Sequence, residues 1–220
     1  MSPLYRVGHW VGRFIFFCTM RSAVTHSAVV MRQGGYILAV THLSHLEPIC
    51  VSILNHRPID WITRKEFFRF RPIGWLLYAL GAIKIDRQGI PVSSIRAAIA
   101  RARAGRIIGI FPEGCVTTGP DAAIRQGTIR KGCCSIALRA GVPLVPCVVL
   151  GTHKLNEPGP WIPFRRARIW VAFGEPIYPP PGGKSNRALR QALADRIVCS
   201  YRRLYTELCQ TCSISDCSIP

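Results

Sequence analysis

Residues 41–48 read Thr-His-Leu-Ser-His-Leu-Glu-Pro, and the runs on either side of them decide the fold. The apolar run 36–40 before them is typical of a buried strand, and the apolar run 49–54 after them is typical of a helix. His42 is therefore expected at the carboxyl end of a buried strand. In open α/β sheets that edge carries functional groups, because its loops are held by a rigid scaffold.

Glu47 follows His42 by five positions and falls in the first turn of the predicted helix. A loop that turns back there brings the carboxylate to the imidazole. A neutral imidazole takes a proton from an alcohol that attacks an acyl carbon, while a carboxylate on the other ring nitrogen fixes the tautomer and stabilises the imidazolium. The pair therefore indicates a general base with an orienting carboxylate, and the acceptor alcohol is itself the nucleophile.

The same stretch also has a purely structural interpretation. Ser44 and Glu47 are spaced as a capping box, which satisfies two amides at a helix start, and Pro48 is tolerated in a first turn. This interpretation accounts for Ser44 and Glu47 but not for His42. His45 is the alternative partner of the carboxylate, although the strand-tip position favours His42.

The composition indicates one basic domain that is rich in apolar residues. Its 220 residues suffice for a sizeable core, 49% of them are hydrophobic, and 29 Lys and Arg against 11 Asp and Glu give a net charge of +18. Such a charge attracts nucleic acid, anionic lipid or an acidic carrier protein. The mean hydropathy of +0.20 favours an anionic membrane surface. No nucleic-acid partner is expected, because no helix-turn-helix or zinc-finger pattern is present.

The ten cysteines are interpreted as free thiols in a reducing cytosol. Half of them lie inside apolar runs, where free cysteine packs as a small hydrophobe; these are Cys18, Cys50, Cys133, Cys134 and Cys147. Near the C-terminus, Cys209, Cys212 and Cys217 resemble half of a metal site. Since four ligands at suitable spacing are missing, no metal is predicted.

Residues 1–34 are predicted to be a helical lead-in at the membrane interface. Their apolar residues are interrupted by arginines, and the longest apolar run is shorter than the ~20 residues that a membrane span needs. Trp and Phe beside Arg suit a helix that lies in the interface. We therefore expect a peripheral or monotopic protein on the cytoplasmic face of the membrane. A helix packed on the core is the alternative.

Strand and helix patterns alternate through the rest of the chain, which predicts an α/β fold with a mainly parallel central sheet flanked by helices. Further strands are predicted at 58–63, 82–85, 106–111, 144–150 and 167–173. Helices are predicted at 72–80, about 93–104, about 131–140 and about 185–208, with a loop at 115–128. Residues 35–208 form the predicted catalytic domain, and residues 209–220 a flexible tail. Glu113 lies just past the strand 106–111, at a second strand tip.

Four blocks, in order, resemble the glycerolipid acyltransferase family, and within it the bacterial 1-acyl-glycerol-3-phosphate acyltransferases of the PlsC type. They lie at 42–47 (His-Leu-Ser-His-Leu-Glu), 81–87 (Gly-Ala-Ile-Lys-Ile-Asp-Arg), 111–114 (Phe-Pro-Glu-Gly) and 142–146 (Val-Pro-Leu-Val-Pro), with Arg-Lys-Glu-Phe at 64–67 upstream of the second. Together they cover about residues 36–176. Each block alone is weak, whereas all four in order are a strong signal.

The resemblance implies direct acyl transfer from a thioester to a hydroxyl. It makes His42 the general base and Glu47 its orienting carboxylate. It implies that acyl-carrier protein or acyl-coenzyme A is the donor and that no cofactor is needed. The residues that the resemblance implies for substrate binding are Arg87 for the acceptor phosphate, Glu113 and Gly114 for the acceptor pocket, and Lys65 from the upstream block.

Two departures from the family pattern affect these expectations. Glu47 replaces the usual Asp, and residues 115–117 read Cys-Val-Thr where the family has Thr-Arg-Ser with a phosphate-binding Arg. Arg125, Arg130 and Lys131 are the candidates to replace that Arg.

Three functions follow from these expectations. The leading hypothesis is acylation of 1-acyl-sn-glycerol-3-phosphate to phosphatidic acid in phospholipid biosynthesis. One alternative is acylation of a phosphate-free lysolipid such as lyso-ornithine lipid. The other is a basic membrane-surface or nucleic-acid-binding module without catalysis, which rests on the charge alone.

Overall fold

The computed structural model contains one seven-stranded sheet. It describes residues 10, 12–14, 16, 18, 20–25, 33–55, 57–86, 92–117, 119–152, 167–180 and 186–212. The strands are β1 (Met20–Thr25), β2 (Tyr36–Val40), β3 (Ile59–Arg64), β4 (Ile83–Ile85), β5 (Ile107–Ile110), β6 (Leu144–Leu150) and β7 (Ala167–Phe173). Their order in the sheet is β1-β7-β6-β2-β5-β3-β4.

The sheet is parallel except where β6 pairs with β7. β2 lies in the centre, between β5 and β6. The helices are α1 (Glu47–Leu54), α2 (Arg71–Ala79), α3 (Val92–Arg103), α4 (Ala123–Gln126), α5 (Gly132–Ala140) and α6 (Arg187–Cys212). The predicted α/β class with a mainly parallel sheet is confirmed.

Both faces of the sheet are covered by helices. In β2, Ile37 and Ala39 pack against α3, α5 and α6, whereas Leu38 and Val40 on the other face pack against α1. Because neighbouring residues of a strand point to opposite faces, a strand buried on both sides is apolar throughout. This explains why β2 and β6 lack the polar alternation of a half-exposed strand.

The termini of the chain differ from the prediction. Residues 20–25 belong to the predicted helical lead-in, yet they form β1 in register with β7. This pairing joins residues far apart in sequence, which local patterns do not reveal. At the other end, α6 continues to Cys212, so the first residues of the predicted tail are helical. Leu208 is fully buried on this helix, which holds its last turns against the core.

Smaller differences concern helix ends and the loop after β5. The predicted loop 115–128 contains a 3-10 turn (Gly119–Asp121) and the short helix α4. The helix α3 begins at Val92, and the Ser94 hydroxyl donates to the carbonyl of Lys84 instead of capping the helix. The helix α5 ends at Ala140 and is followed by Gly141, whose φ of 70° lies in the left-handed region that glycine adopts without strain.

The lead-in is described only in part. Residues 10, 12–14, 16 and 18 are helical, while residues 1–9 and 26–32 lie outside the described part. Phe16 is buried under the sheet, but Trp10 and Phe14 are exposed. The membrane role of this segment stays a prediction.

The described residues contain neither a membrane span nor a metal-binding cluster. None of the described helices is long and apolar enough to cross a membrane. Within the same residues, no group of three or more His, Cys, Asp or Glu side chains is placed to hold a metal ion, and Cys217 lies outside them.

Candidate active site

Three neighbouring parallel strands end at one edge of the sheet and bring distant residues together there. His42 follows the end of β2, residues 111–114 follow β5, and Thr152 follows β6. Hydrogen bonds from backbone amides connect these tips. The Thr117 amide donates to the His42 carbonyl at 2.9 Å, and the Val149 amide donates to the Thr41 hydroxyl at 3.0 Å. His42 therefore lies at the carboxyl end of a buried strand, where the sequence predicts it.

His42 and Glu47 form a close pair. The distance from His42 Nδ1 to Glu47 Oε2 is 2.8 Å, and the Glu47 carboxylate is fully buried. His45 is exposed, and its ring lies 6.1 Å from that of His42 in an edge-on arrangement. The carboxylate thus orients His42 and not His45, and the ring nitrogen Nε2 of His42 is left to face a substrate.

The second oxygen of Glu47 is held by three donors. Its Oε1 accepts the backbone amides of Leu43 at 3.0 Å and Ser44 at 2.5 Å, and the hydroxyl of Thr152 at 2.6 Å. A buried carboxylate is costly unless its oxygens are hydrogen-bonded, and these three bonds meet that requirement. They also fix the carboxylate in the orientation that the imidazole needs.

The structure contains one of the two hydrogen bonds of the capping box predicted for Ser44 and Glu47. The Ser44 amide donates to Glu47, as in the return bond of a capping box. The Ser44 hydroxyl, however, accepts from the Leu46 amide at 3.1 Å, and Leu46 is the residue that precedes the helix. Glu47 therefore stabilises the loop and orients the imidazole with the same carboxylate.

Thr152 is not among the site residues predicted from the sequence. It lies 105 positions from Glu47 in sequence. A signal was nevertheless present, because Thr152 follows the end of β6 by the same two positions as His42 follows the end of β2. A polar residue at that offset from a neighbouring parallel strand is a candidate for the same site.

Aromatic rings support the other side of the imidazole. The Phe111 ring stacks on His42 with centroids 4.1 Å apart, and Trp61 stacks on Phe111 at 5.0 Å. The indole Nε1 of Trp61 donates to the Ser52 hydroxyl at 2.8 Å. The imidazole is therefore held by a carboxylate at its edge and by a column of rings on its face.

The residues of the Phe-Pro-Glu-Gly block point in different directions. Gly114 lines the cavity next to His42, but Glu113 is not among the described residues of the cavity wall. Its carboxylate accepts from the Thr117 hydroxyl. Burial raises the pKa of the Glu113 carboxyl to about 7, and the bond from Thr117 offsets part of that rise. Glu113 thus stabilises the loop through its hydrogen bond with Thr117 and does not line the described cavity.

A cavity of about 740 Å³ opens beside His42. Most of its wall is apolar, from Ile49 and Ile53 on α1, Trp61 on β3, and Leu77 and Leu80 from α2 and the residue after it. Such a wall suits a hydrocarbon chain, since apolar contact surface is removed from water on binding. The polar part of the wall includes His42, Arg64, Asp86 and Arg130.

The cations predicted for substrate binding are not equivalent. Arg130 lines the cavity and lies directly against Gly114, so that a Cβ at residue 114 would meet its Nε at 2.6 Å. The Lys65 ammonium pairs with Asp86 at 2.7 Å. Lys131 and Arg125 are absent from the described cavity wall, and Arg87 lies outside the described residues. Arg64, which the sequence analysis did not select, lines the cavity.

Comparison with known proteins identifies the family of the chain. The family model described as Acyltransferase matches residues 21–150, more than half of the chain. The chain belongs to the acyltransferase family. The match includes all four blocks and most of the sheet, and it begins within β1.

Relatives of this acyltransferase carry the name 1-acyl-sn-glycerol-3-phosphate acyltransferase. The one from Bacillus subtilis is 29% identical over 172 residues, which are 75% of this chain and 80% of the relative. The one from Streptococcus pneumoniae is 26% identical over 178 residues, or 80% of this chain and 62% of the relative. A chloroplastic relative from Brassica napus is 26% identical, and only 44% of its length is matched.

One solved structure shares the fold of this acyltransferase. It is the 1-acyl-sn-glycerophosphate acyltransferase PlsC from Thermotoga maritima, with a TM-score of 0.67 and 22% sequence identity. The alignment covers 93% of this chain and 79% of that one. This likeness supports the α/β architecture on which the site is built.

Proposed function

We propose that this acyltransferase moves a fatty acyl group from an acyl thioester to the free hydroxyl of 1-acyl-sn-glycerol-3-phosphate, giving phosphatidic acid. The observation that carries the proposal is the His42–Glu47 pair, 2.8 Å apart, beside an apolar cavity. The names of the relatives support the choice of acceptor. The alternatives without an acceptor phosphate or without catalysis have no support among these relatives.

The proposed step needs only a general base and a carboxylate that orients it. His42 Nε2 takes the proton of the acceptor hydroxyl while the hydroxyl oxygen attacks the thioester carbonyl. The new C–O bond forms, the C–S bond breaks, and the imidazolium returns the proton to the leaving thiolate. Glu47 keeps Nδ1 protonated and stabilises the transient positive charge on the ring.

Arg130 is the proposed ligand of the acceptor phosphate. Its side chain lies on Gly114 at the polar part of the cavity, and a guanidinium binds phosphate through paired hydrogen bonds. Arg130 would thereby replace the arginine that the family carries two residues after Gly114. Arg87 remains a second candidate, and the Lys65–Asp86 pair would align the chain that leads to it.

The donor and the location are proposed on charge and hydrophobicity. Acyl-coenzyme A and acyl-carrier protein are both anionic and suit a chain of net charge +18. A lipid acceptor and an anionic donor support the proposed location at the cytoplasmic face of a membrane. His42, Glu47 and the acceptor hydroxyl account for the chemistry without a further cofactor.

The test is thiol release from palmitoyl-coenzyme A and from palmitoyl-acyl-carrier protein, with lysophosphatidic acid and lyso-ornithine lipid as parallel acceptors. His42→Ala is expected to lower kcat by about 10³-fold, within the usual range for loss of a general base, while the thermal melt is retained. Arg130→Gln is expected to raise KM for lysophosphatidic acid only. Full activity of a folded His42→Ala protein, or faster release with lyso-ornithine lipid, would contradict the proposal.

A further inference from the structure

The segment around α2 exposes large apolar side chains to solvent. We name Phe67, Phe70, Trp75, Leu76 and Tyr78 the α2 patch. Trp75, Phe70 and Tyr78 have 64%, 62% and 61% of their surface exposed. Single exposed apolar residues are ordinary, but a cluster of aromatic side chains on one short segment marks an interaction surface.

Most of the α2 patch is not used to hold α2 on the domain. The helix is held against the segment before it, where the Tyr78 ring contacts the Phe68 ring at a centroid distance of 4.9 Å. Gly74 packs so closely on the preceding turn that a Cβ there would meet the Phe68 carbonyl oxygen at 2.8 Å. The outward side chains of Phe70 and Trp75 therefore remain available to a partner.

The α2 patch continues into the mouth of the cavity. Phe67 belongs to the patch and also lines the cavity, and Ile49 on α1 is likewise both exposed and a wall residue. The exposed His45 ring lies 6.4 Å from Phe67. A partner that covers the α2 patch would thus also cover the entrance that leads to His42.

The charge of the segment identifies the kind of partner. Residues 64–80 contain four basic residues, at 64, 65, 69 and 71, and one acidic residue, Glu66, which gives a net +3. Arg69 and Arg71 are exposed on either side of Phe70. Aromatic residues interleaved with arginine suit the headgroup level of an anionic bilayer, where apolar rings enter the interface and cations meet lipid phosphates.

We propose that the α2 patch docks the protein on an anionic membrane, with the mouth of the cavity against the lipid. Phe70, Trp75 and Leu76 enter the interface, and Arg69 and Arg71 contact the headgroups. A lipid acceptor would then reach His42 by a short lateral path without crossing water. That last point rests on the proposed function, whereas docking itself does not.

The binding test needs no acyl donor. Flotation with vesicles of phosphatidylcholine and phosphatidylglycerol in equal amounts is compared with flotation on phosphatidylcholine alone. The double variant Trp75→Ser/Leu76→Ser is expected to lose about tenfold in partition to the anionic vesicles, because it removes two inserted side chains. Arg69→Gln/Arg71→Gln is expected to reduce the preference for anionic vesicles.

The matched control is Tyr178→Ser. Tyr178 is an aromatic residue of similar exposure, but its neighbour Ile177 bridges to Leu144 at the start of β6, at the opposite edge of the sheet. This variant should bind vesicles as the unaltered protein does. Equal loss in Tyr178→Ser and in the double variant, or no loss in the double variant while its thermal melt is retained, would overturn the docking proposal.

A second readout separates docking from catalysis. With an acceptor dispersed in bilayers the double variant should show a raised KM, while with a short-chain, water-soluble lysophosphatidic acid its kinetics should match those of the unaltered protein. If no variant or acceptor gives turnover, the proposed function fails, and the vesicle data still decide docking. An equal KM increase with both acceptors would overturn the docking proposal, since the α2 patch would then act inside the site.

Discussion

At the residue scale, the arrangement around Glu47 shows how one hydroxyl tunes a catalytic pair. Thr152 supplies the only side-chain donor to Glu47 Oε1 among the described residues, next to two backbone amides. Hydrogen bonds to charged groups are worth roughly 1.5–3 kcal/mol. Thr152 is therefore a positioning residue that acts on His42 through the carboxylate.

Thr152→Val is expected to lower kcat by about tenfold or more with little change in KM, because a free energy of about 1.4 kcal/mol corresponds to a factor of ten. The valine keeps the shape of the side chain but leaves one buried acceptor site of Glu47 unfilled. Steady-state kinetics measure the effect, and Thr152→Ser should recover most of it by restoring a hydroxyl. A valine variant as active as the serine variant would contradict this role.

Glu113 should make stability depend on pH. Its pKa is raised from 4.5 to about 7 by burial, so the folded carboxyl keeps its proton over a range in which the unfolded one has lost it. The unfolding free energy should therefore fall as pH rises from about 5 to about 7, by up to about 3 kcal/mol for a shift of this size.

Glu113→Gln should remove this fall, because glutamine does not titrate and still accepts from Thr117. Denaturation curves at a series of pH values measure it, with Glu175→Gln at an exposed carboxylate as the control. The stability gap between the unaltered protein and Glu113→Gln is expected to shift in favour of the variant as pH rises. A constant gap would show that Glu113 titrates as in the unfolded chain.

At the scale of elements, local pattern predicted most strands and helices but not how they meet. The run 36–40 and the residues after it placed His42 at a strand tip, and the structure agrees. Strand order was not available from the sequence, because β2, β5 and β6 are adjacent only through long-range pairing. Thr152, Trp61 and Arg64 were missed for that reason.

The contact between β5 and β3 leaves no room for a side chain at Gly109. At Gly109 of β5 a Cβ would meet Trp61 Cε3 at 2.5 Å and Ile59 Cγ2 at 2.7 Å. Gly109→Ala should therefore displace Trp61 and, through Phe111, the imidazole of His42. We expect about 1–3 kcal/mol of lost stability, typical of an overpacked core, together with a lower kcat.

A double-mutant cycle identifies the cause. Trp61→Phe lacks the Cε3 atom of the indole, so Gly109→Ala/Trp61→Phe should regain part of the stability and of kcat lost by Gly109→Ala. Denaturant unfolding and steady-state kinetics are the measurements. Strictly additive effects of the two substitutions would show that the alanine acts elsewhere.

At the scale of the whole molecule, the two edges of the sheet serve different purposes. Chemistry gathers at the carboxyl ends of the strands, whereas a buried ionic cluster lies near the amino end of β3. Asp60 is fully buried and accepts from Arg106 Nε at 2.6 Å and from Arg101 Nη1 at 3.1 Å. Arg101 also donates to the Gly81 carbonyl at 2.6 Å. The cluster thus joins β3 to α3 and to the residues before β4 and β5.

A substitution at Asp60 should therefore lower the unfolding free energy without lowering the turnover of the folded protein. Asp60 is next to the wall residue Trp61 in β3, but successive side chains of a strand point to opposite faces of the sheet. Neither Asp60 nor the two arginines belong to the described cavity wall, so a change in the cluster does not alter that wall directly. Asp60→Asn keeps the size of the side chain but removes the charge that both arginines share. We expect the unfolding free energy to fall by about 2 kcal/mol, less than for a fully buried pair because both arginines are partly exposed.

The activity of Asp60→Asn per folded molecule should stay within about twofold of that of the unaltered protein. A twofold change corresponds to less than about 0.5 kcal/mol in the activation free energy. Denaturant unfolding gives the stability, and turnover normalised to the folded fraction gives the activity. Asp195→Asn, at an exposed carboxylate on α6, is the matched control and should change neither quantity. A large loss of normalised turnover in Asp60→Asn would mean that the ionic cluster positions the site across the whole sheet, and the division of the molecule into a stabilising edge and a catalytic edge would be wrong.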